Sequence, residues 1–281
     1  MAMRFVVKVG DVLIAVAFIV VVSLFVLSIA NKQSTPENPM NETTSESQVS
    51  DEPEQVVNEK LMTAYAELAE EYADQNVAIM MIDPNNPDND FELNADKVYT
   101  AASTYKLYVA YSMLLSVEKG ESSWSLLLND TTLATCFDRM IVQSDNYCPE
   151  AWLDRHLYSV TTAEARDVGA VSTCLGCTGG MKTTARDLAN FLVKIYNGEI
   201  LSSSSRDRLI DTMKRQVYRD GIPAGVGDDG IVADKVGFLD GLRHDAAIVY
   251  SDRGDYILVI MTGGNRWSVI ADIAEKIHTA L

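Results

Sequence analysis

Ser103-Thr104-Tyr105-Lys106 places a hydroxyl and an amine three residues apart at the head of an apolar stretch whose helical spacing spans residues 105–117 and stops at Gly120. Residues at i and i+3 share a helix face, so the Lys106 amine can meet the Ser103 hydroxyl. A lysine partly withdrawn from water has a lowered pKa and can accept the serine proton, and N–H groups at a helix start favour the negative charge that develops. This is the chemistry of a serine nucleophile attacking a carbonyl. The same four residues also fit a surface serine beside a snorkelling lysine, so further polar groups must decide.

Two such groups follow. Ser144-Asp145-Asn146 adds a second hydroxyl and a side-chain amide, although these residue types also make capping turns, and Asp145 is structural in either reading. Lys235-Val236-Gly237 lies in the first of three strand-like runs near the C-terminus. With S-x-x-K, S-D-N and K-V-G in this order, the chain resembles the penicillin-recognising serine hydrolases, specifically the class A β-lactamases, whose signature is S-x-x-K, S-D-N and K-T-G. The resemblance covers roughly residues 54–281 and includes Phe91-Glu92-Leu93-Asn94, the helix start at 183–190 and Thr262-Gly263-Gly264.

The resemblance implies roles for these positions. Ser103 would be the acylated nucleophile, Lys106 its proton acceptor or relay, and Ser144 the group that passes the proton to the leaving nitrogen. Asn146 would hold the substrate's amide side chain. Lys235, with Gly237 beside it, would draw in the substrate carboxylate, and the backbone N–H groups of Ser103 and Phe238 would form the oxyanion hole. A second carboxylate-binding cation would be His244 or its neighbour Arg243, though a plain strand histidine fits position 244 equally. The implied activity is β-lactam ring opening through an acyl-Ser103 ester, without cofactor or metal, by a chain acting as a monomer. The alternatives are a D,D-peptidase or penicillin-binding protein acting on D-Ala-D-Ala cell-wall peptides, and a non-catalytic penicillin-binding sensor.

Three departures bear on that activity. Val236 removes the hydroxyl of the K-T-G element, and the interval from Ser103 to Ser144 is short, which implies a trimmed helical part. No Glu-Pro-Glu-Leu-Asn-like motif lies between Asn146 and Thr183, and Glu164 and Asp167 stand in that interval without it. Acylation is therefore expected to outrun deacylation.

The elements that must position these residues are legible as periodicities. Val57, Leu61, Ala64, Tyr65, Leu68 and Tyr72 predict an amphipathic helix, followed by a hairpin of residues 77–82 and 91–93 around a Pro/Asn turn at 83–87. Helical stretches are expected over 123–155, and a helix capped by Thr183 or Thr184 should reach Tyr196 and end at Asn197-Gly198. Residues 221–230, rich in glycine but followed by a strand, read as a loop and not a phosphate cradle. Strands are expected over 231–238, 246–250 and 256–261, and a closing helix over 267–278. The predicted fold is α/β in the two-part α+β sense. An antiparallel sheet built from both chain ends, with flanking helices, adjoins an all-helical subdomain.

Charge and composition bound the rest. Lys plus Arg number 23 against 40 Asp plus Glu, a net charge of −17 that disfavours nucleic-acid binding. Residues 12–30 carry no charge and Arg4 and Lys8 precede them, so they are expected to form a transmembrane signal-anchor with residues 1–11 in the cytoplasm. A cleaved signal peptide ending near Ser28-Ile29-Ala30 is the alternative. Residues 31–55, acidic and nearly free of large apolar side chains, read as a disordered tether to an extracytoplasmic domain over 56–281. In that compartment the four cysteines should pair, and of three possible connectivities Cys136 with Cys148 and Cys174 with Cys177 is favoured.

Overall fold

A computed structural model describes residues 58–281; the expected anchor and tether lie outside the described residues. Asn58 caps helix α1 (Glu59–Tyr72), accepting a hydrogen bond from the Leu61 N–H at 3.2 Å. Such a cap contributes about 1 kcal/mol. The Asn58 amide also donates to the Ala280 carbonyl at 3.0 Å, tying the first described helix to the last. Leu61, Ala64, Tyr65, Leu68 and Tyr72 form the buried stripe, as their spacing predicts.

The chain then makes β1 (Val77–Ile82), β2 (Phe91–Leu93) and β3 (Tyr99–Thr100), followed by a 3₁₀ turn (Ala102–Tyr105) that runs straight into α2 (Lys106–Glu118). A small hairpin of β4 (Leu127–Leu128) and β5 (Thr131–Thr132) leads to α3 (Leu133–Val142), α4 (Tyr147–His156) and α5 (Tyr158–Asp167). Next come β6 (Lys182–Thr183), α6 (Ala185–Asn197), α7 (Ser203–Met213) and the short α8 (Ile222–Val226). Strands β7 (Gly230–Leu239), β8 (Leu242–Ser251) and β9 (Tyr256–Gly263), then α9 (Trp267–Ala280), complete it.

The main sheet has the order β2-β1-β9-β8-β7, every neighbouring pair antiparallel, so strands from both chain ends do form one sheet. Side chains alternate across it. Ala233, Ala246, Ile248, Ile257, Val259 and Met261 join the core shared with α2, α3 and α6. Val232, Ala247, Val249, Leu258 and Ile260 join the core under α1 and α9. Covering on both faces explains why β9 reads as an unbroken apolar run and not as an alternation.

Two expectations are corrected. Residues 123–132 are not helical, because Asn129, at φ 56°, turns the chain into the β4–β5 hairpin before α3 starts on the Thr132 cap. The 221–230 stretch contains α8, with Pro223 in its first turn, where the missing N–H costs nothing. Thr184, not Thr183, caps α6, its side chain accepting from the Asp187 N–H at 3.0 Å. Both disulfides pair as expected, Cys136 with Cys148 and Cys174 with Cys177. Among the described residues no helix is long and apolar enough to cross a membrane.

Candidate active site

Ser103 sits in the 3₁₀ turn between β3 and α2, half-buried, just after Ala102 at φ 44°. Few non-glycine residues adopt that conformation, so surrounding contacts must hold it. The Ala101 N–H donates to the Met181 carbonyl at 2.9 Å, and the Thr104 hydroxyl and N–H both return to the Ala101 carbonyl, at 2.6 and 3.1 Å. Strand β7 presses on the other side. A Cβ at Gly237 would lie 3.0 Å from Thr104 Cγ2 and 3.1 Å from both the Ala101 carbonyl oxygen and the Ser103 nitrogen. Glycine at 237 therefore lets the strand approach the nucleophile's backbone.

Lys106, one helical turn on, is fully buried. Its Nζ lies 2.9 Å from Ser103 Oγ, 2.6 Å from the Ser144 carbonyl, 3.3 Å from Ser144 Oγ and 2.7 Å from Asn146 Oδ1. The two shortest contacts are to oxygens that only accept. A neutral amine can satisfy them with its two N–H groups and turn its lone pair to the Ser103 hydroxyl. Burial favours that state, drawing the Lys106 pKa from 10.5 down to about 8 against the opposing pull of Asp145 and Glu150.

Ser144, at φ 58°, belongs to the turn between α3 and α4. The Asp145 carboxylate accepts from the Cys148 N–H at 3.1 Å and so holds the start of α4, the structural part expected of it. Lys235, fully buried on β7, reaches across to Ser144 Oγ at 3.0 Å and to the Val236 carbonyl at 2.8 Å. One hydroxyl is thus flanked by two amines. Burial, then repulsion from Lys106, bring the Lys235 pKa to about 7, against attraction from Asp234 and Asp245.

Those two aspartates were not singled out from the sequence. Both are fully buried, and Arg219, half-exposed, ion-pairs with Asp234. Burial pushes Asp245 up to about 6 and Asp234 well upward, the latter also through repulsion from Asp245. The Asp245 carboxylate accepts from the Ile222 N–H at 2.9 Å, locating the head of α8. Strand alternation could have placed Asp234 and Asp245 on one face; nothing in the sequence marks Arg219 as their partner.

Ser103, Lys106, Ser144, Asn146 and Lys235 therefore converge. Phe238 lines the same cleft as Ser103 and Asn146, with Tyr105, Glu150, Gly180, Met181 and Leu239. His244 does not join them. It is fully buried opposite Gly237, with Nε2 3.0 Å from the Thr100 carbonyl and Nδ1 accepting from the Thr262 N–H at 3.1 Å, and burial lowers its pKa to about 4. A neutral ring engaged with backbone on both nitrogens cannot bind a carboxylate, which corrects that expectation. Arg243 pairs in register with Phe238 and lies over the Trp267 ring at 5.7 Å, its Nη1 donating to the Leu242 carbonyl at 2.6 Å. Glu164 and Asp167 also stand apart. Glu164 Oε1 is 3.1 Å from His156 Nε2, and Asp167 lines a separate depression with Tyr158 and Arg166. Among the described residues no cluster of side chains could hold a metal ion.

The fold and this constellation are those of a serine hydrolase. Residues 60–281 match the β-lactamase enzyme family, and the chain belongs to that family. Among solved structures it is similar to PBP-A, with a TM-score of 0.72 at 23 % identity over 78 % of this chain and 96 % of that one. An acyl-enzyme complex of a PBP-A point mutant with penicillin G gives 0.71 at 23 % over 78 % and 95 %. An ancestral class A β-lactamase gives 0.71 at 20 % over 79 % and 100 %. At these identities the likeness establishes the fold. No curated protein matches by sequence.

Proposed function

We propose that this domain opens β-lactams by acylating Ser103 and releases the acyl group slowly. The observation that carries this reading is the Ser103–Lys106–Ser144–Lys235 chain, with contacts of 2.9, 3.3 and 3.0 Å between side chains. Neutral Lys106 takes the Ser103 proton as Oγ bonds to the lactam carbonyl carbon. The N–H groups of Ser103 and Phe238 receive the oxyanion. The C–N bond breaks as Ser144 gives its proton to the nitrogen and is reprotonated from Lys106. Protonated Lys235 holds Ser144 in place and offers its remaining N–H to the substrate's carboxylate, and Asn146 aligns the acyl side chain.

A D,D-peptidase or penicillin-binding activity on D-Ala-D-Ala peptides uses the same acylation. Its support is the absence of any Asp or Glu over residues 168–181, between α5 and β6. The anchor at 12–30 would hold the domain outside the cytoplasm, where its two disulfides are stable; a C-terminal reporter active only in the cytoplasm should stay silent. The test of function is a chromogenic β-lactam mixed with the purified chain. The expected trace is a burst near one equivalent of enzyme and then a slow steady state. Rapid turnover without a burst would make the protein an efficient β-lactamase, and no signal with no covalent adduct would overturn the reading.

A further inference from the structure

An ester on Ser103 is hydrolysed only if a water loses a proton as it attacks, so some base must stand at the cleft. The 168–181 segment supplies none, its contribution to the cleft wall being Gly180 and Met181. Asp145 is engaged by the Cys148 N–H, Glu164 faces His156, and Asp167 lines a different depression. One carboxylate lines the cleft among the described residues, and it is Glu150.

Its position follows from α4. Glu150 stands in the first turn, four residues after Asn146, so the two side chains share a helix face. The Glu150 N–H bonds the Asn146 carbonyl at 3.3 Å, while Asn146 Oδ1 accepts from Lys106 Nζ at 2.7 Å. The Glu150 side chain is exposed and makes no hydrogen bond or ion pair among the described residues, yet its charge reaches both Lys106 and Tyr105. With Ser103, Tyr105 and Phe238 it bounds a cleft of about 310 Å³, room for an acyl group and a water.

We propose that Glu150 is the carboxylate that activates the hydrolytic water on acyl-Ser103, an inference that rests on the acylation reading above. Water gives a proton to Glu150 as its oxygen bonds to the ester carbonyl carbon, and the oxyanion forms at the Ser103 and Phe238 N–H groups. Collapse breaks the bond to Ser103 Oγ, which recovers the proton from Glu150 through Lys106. The free acid leaves and the enzyme is restored. Because Glu150 stands exposed at the cleft mouth, not enclosed over the ester, it orders that water poorly, which is why hydrolysis is slow but not absent.

The test separates the two steps. The full chain is acylated with penicillin G, free drug is removed, and adduct loss is followed by intact mass in wild type, Glu150→Gln and Glu150→Asp. Glu150→Gln should acylate within about threefold of wild type, which also shows that it folds, but lose the adduct about 10²-fold or more slowly, with Glu150→Asp between them. Adduct decay at the wild-type rate in Glu150→Gln would overturn the assignment. Loss of acylation as well would place Glu150 in the first step and overturn it too. A wild-type chain that forms no adduct would instead overturn the acylation reading, and this proposal with it.

Discussion

Replacing Lys106 by methionine should separate the cost of the buried amine from its use. In the folded chain the amine is fully buried and its pKa lies near 8, against 10.5 for a free lysine. Between these values the unfolded chain holds a proton that the folded chain has released, so stability rises as pH rises through this window. A shift from 10.5 to about 8 corresponds to about 3 kcal/mol, most of it recovered between pH 7 and 10. Methionine removes that rise. It also relieves the repulsion that lowers the Lys235 pKa, which flattens the curve further in the same direction. Urea unfolding at pH 7 and 10 should therefore show wild-type stability increasing by about 2 to 3 kcal/mol more than that of Lys106→Met. Acylation should fall by about 10² to 10⁴ in the variant. Parallel stability curves would refute the reasoning, because Lys106 would then hold its proton as readily folded as unfolded and could not be the neutral base.

Gly237→Ala requires β7 and the nucleophile turn to give by a few tenths of an ångström, since the added Cβ has neighbours at 3.0 and 3.1 Å. Acylation should slow by about 10-fold or more and stability fall by about 1 to 3 kcal/mol, measured by labelled-penicillin kinetics and denaturation. His244, with its pKa lowered by burial to about 4, contributes stability that is fully present above pH 6.5 and lost as pH falls towards 4. His244→Gln should abolish that acid-side loss, about 2 kcal/mol in wild type between pH 7 and 4.5, read from unfolding at those two values. It should also leave KM for an anionic β-lactam within about threefold, because the ring does not face substrate.

The nucleophile and its partners were legible because their order along the chain carries the information. Ser103 and Lys106 need only one helical turn to meet, and Ser144, Asn146 and Lys235 arrive with their own short motifs. The assembly of one sheet from both chain ends was also legible, since apolar strands at the two ends need one another to be buried. The carboxylate-binding role that the resemblance implies for position 244 fails at the pleat, and the plain strand histidine is what remains. Pairing opposite Gly237 turns the ring towards β3 and β9, where the Thr100 carbonyl and the Thr262 N–H take its two nitrogens. Glu150 carries no signal at all in the sequence, its place at the cleft depending on where α4 starts and which face it turns to Asn146. The β4–β5 hairpin was hidden by the apolar residues Leu126, Leu127 and Leu128, although Asn129-Asp130 between the strands is an ordinary turn pair.

The central claim is that Ser103 becomes an ester, and peptide mapping after incubation with penicillin G tests it most directly. The adduct, with the mass of the intact drug, should reside on the peptide containing Ser103 and vanish in Ser103→Ala, while Asp167→Asn labels like wild type. An adduct that persists in Ser103→Ala, or maps to another residue, would contradict the account.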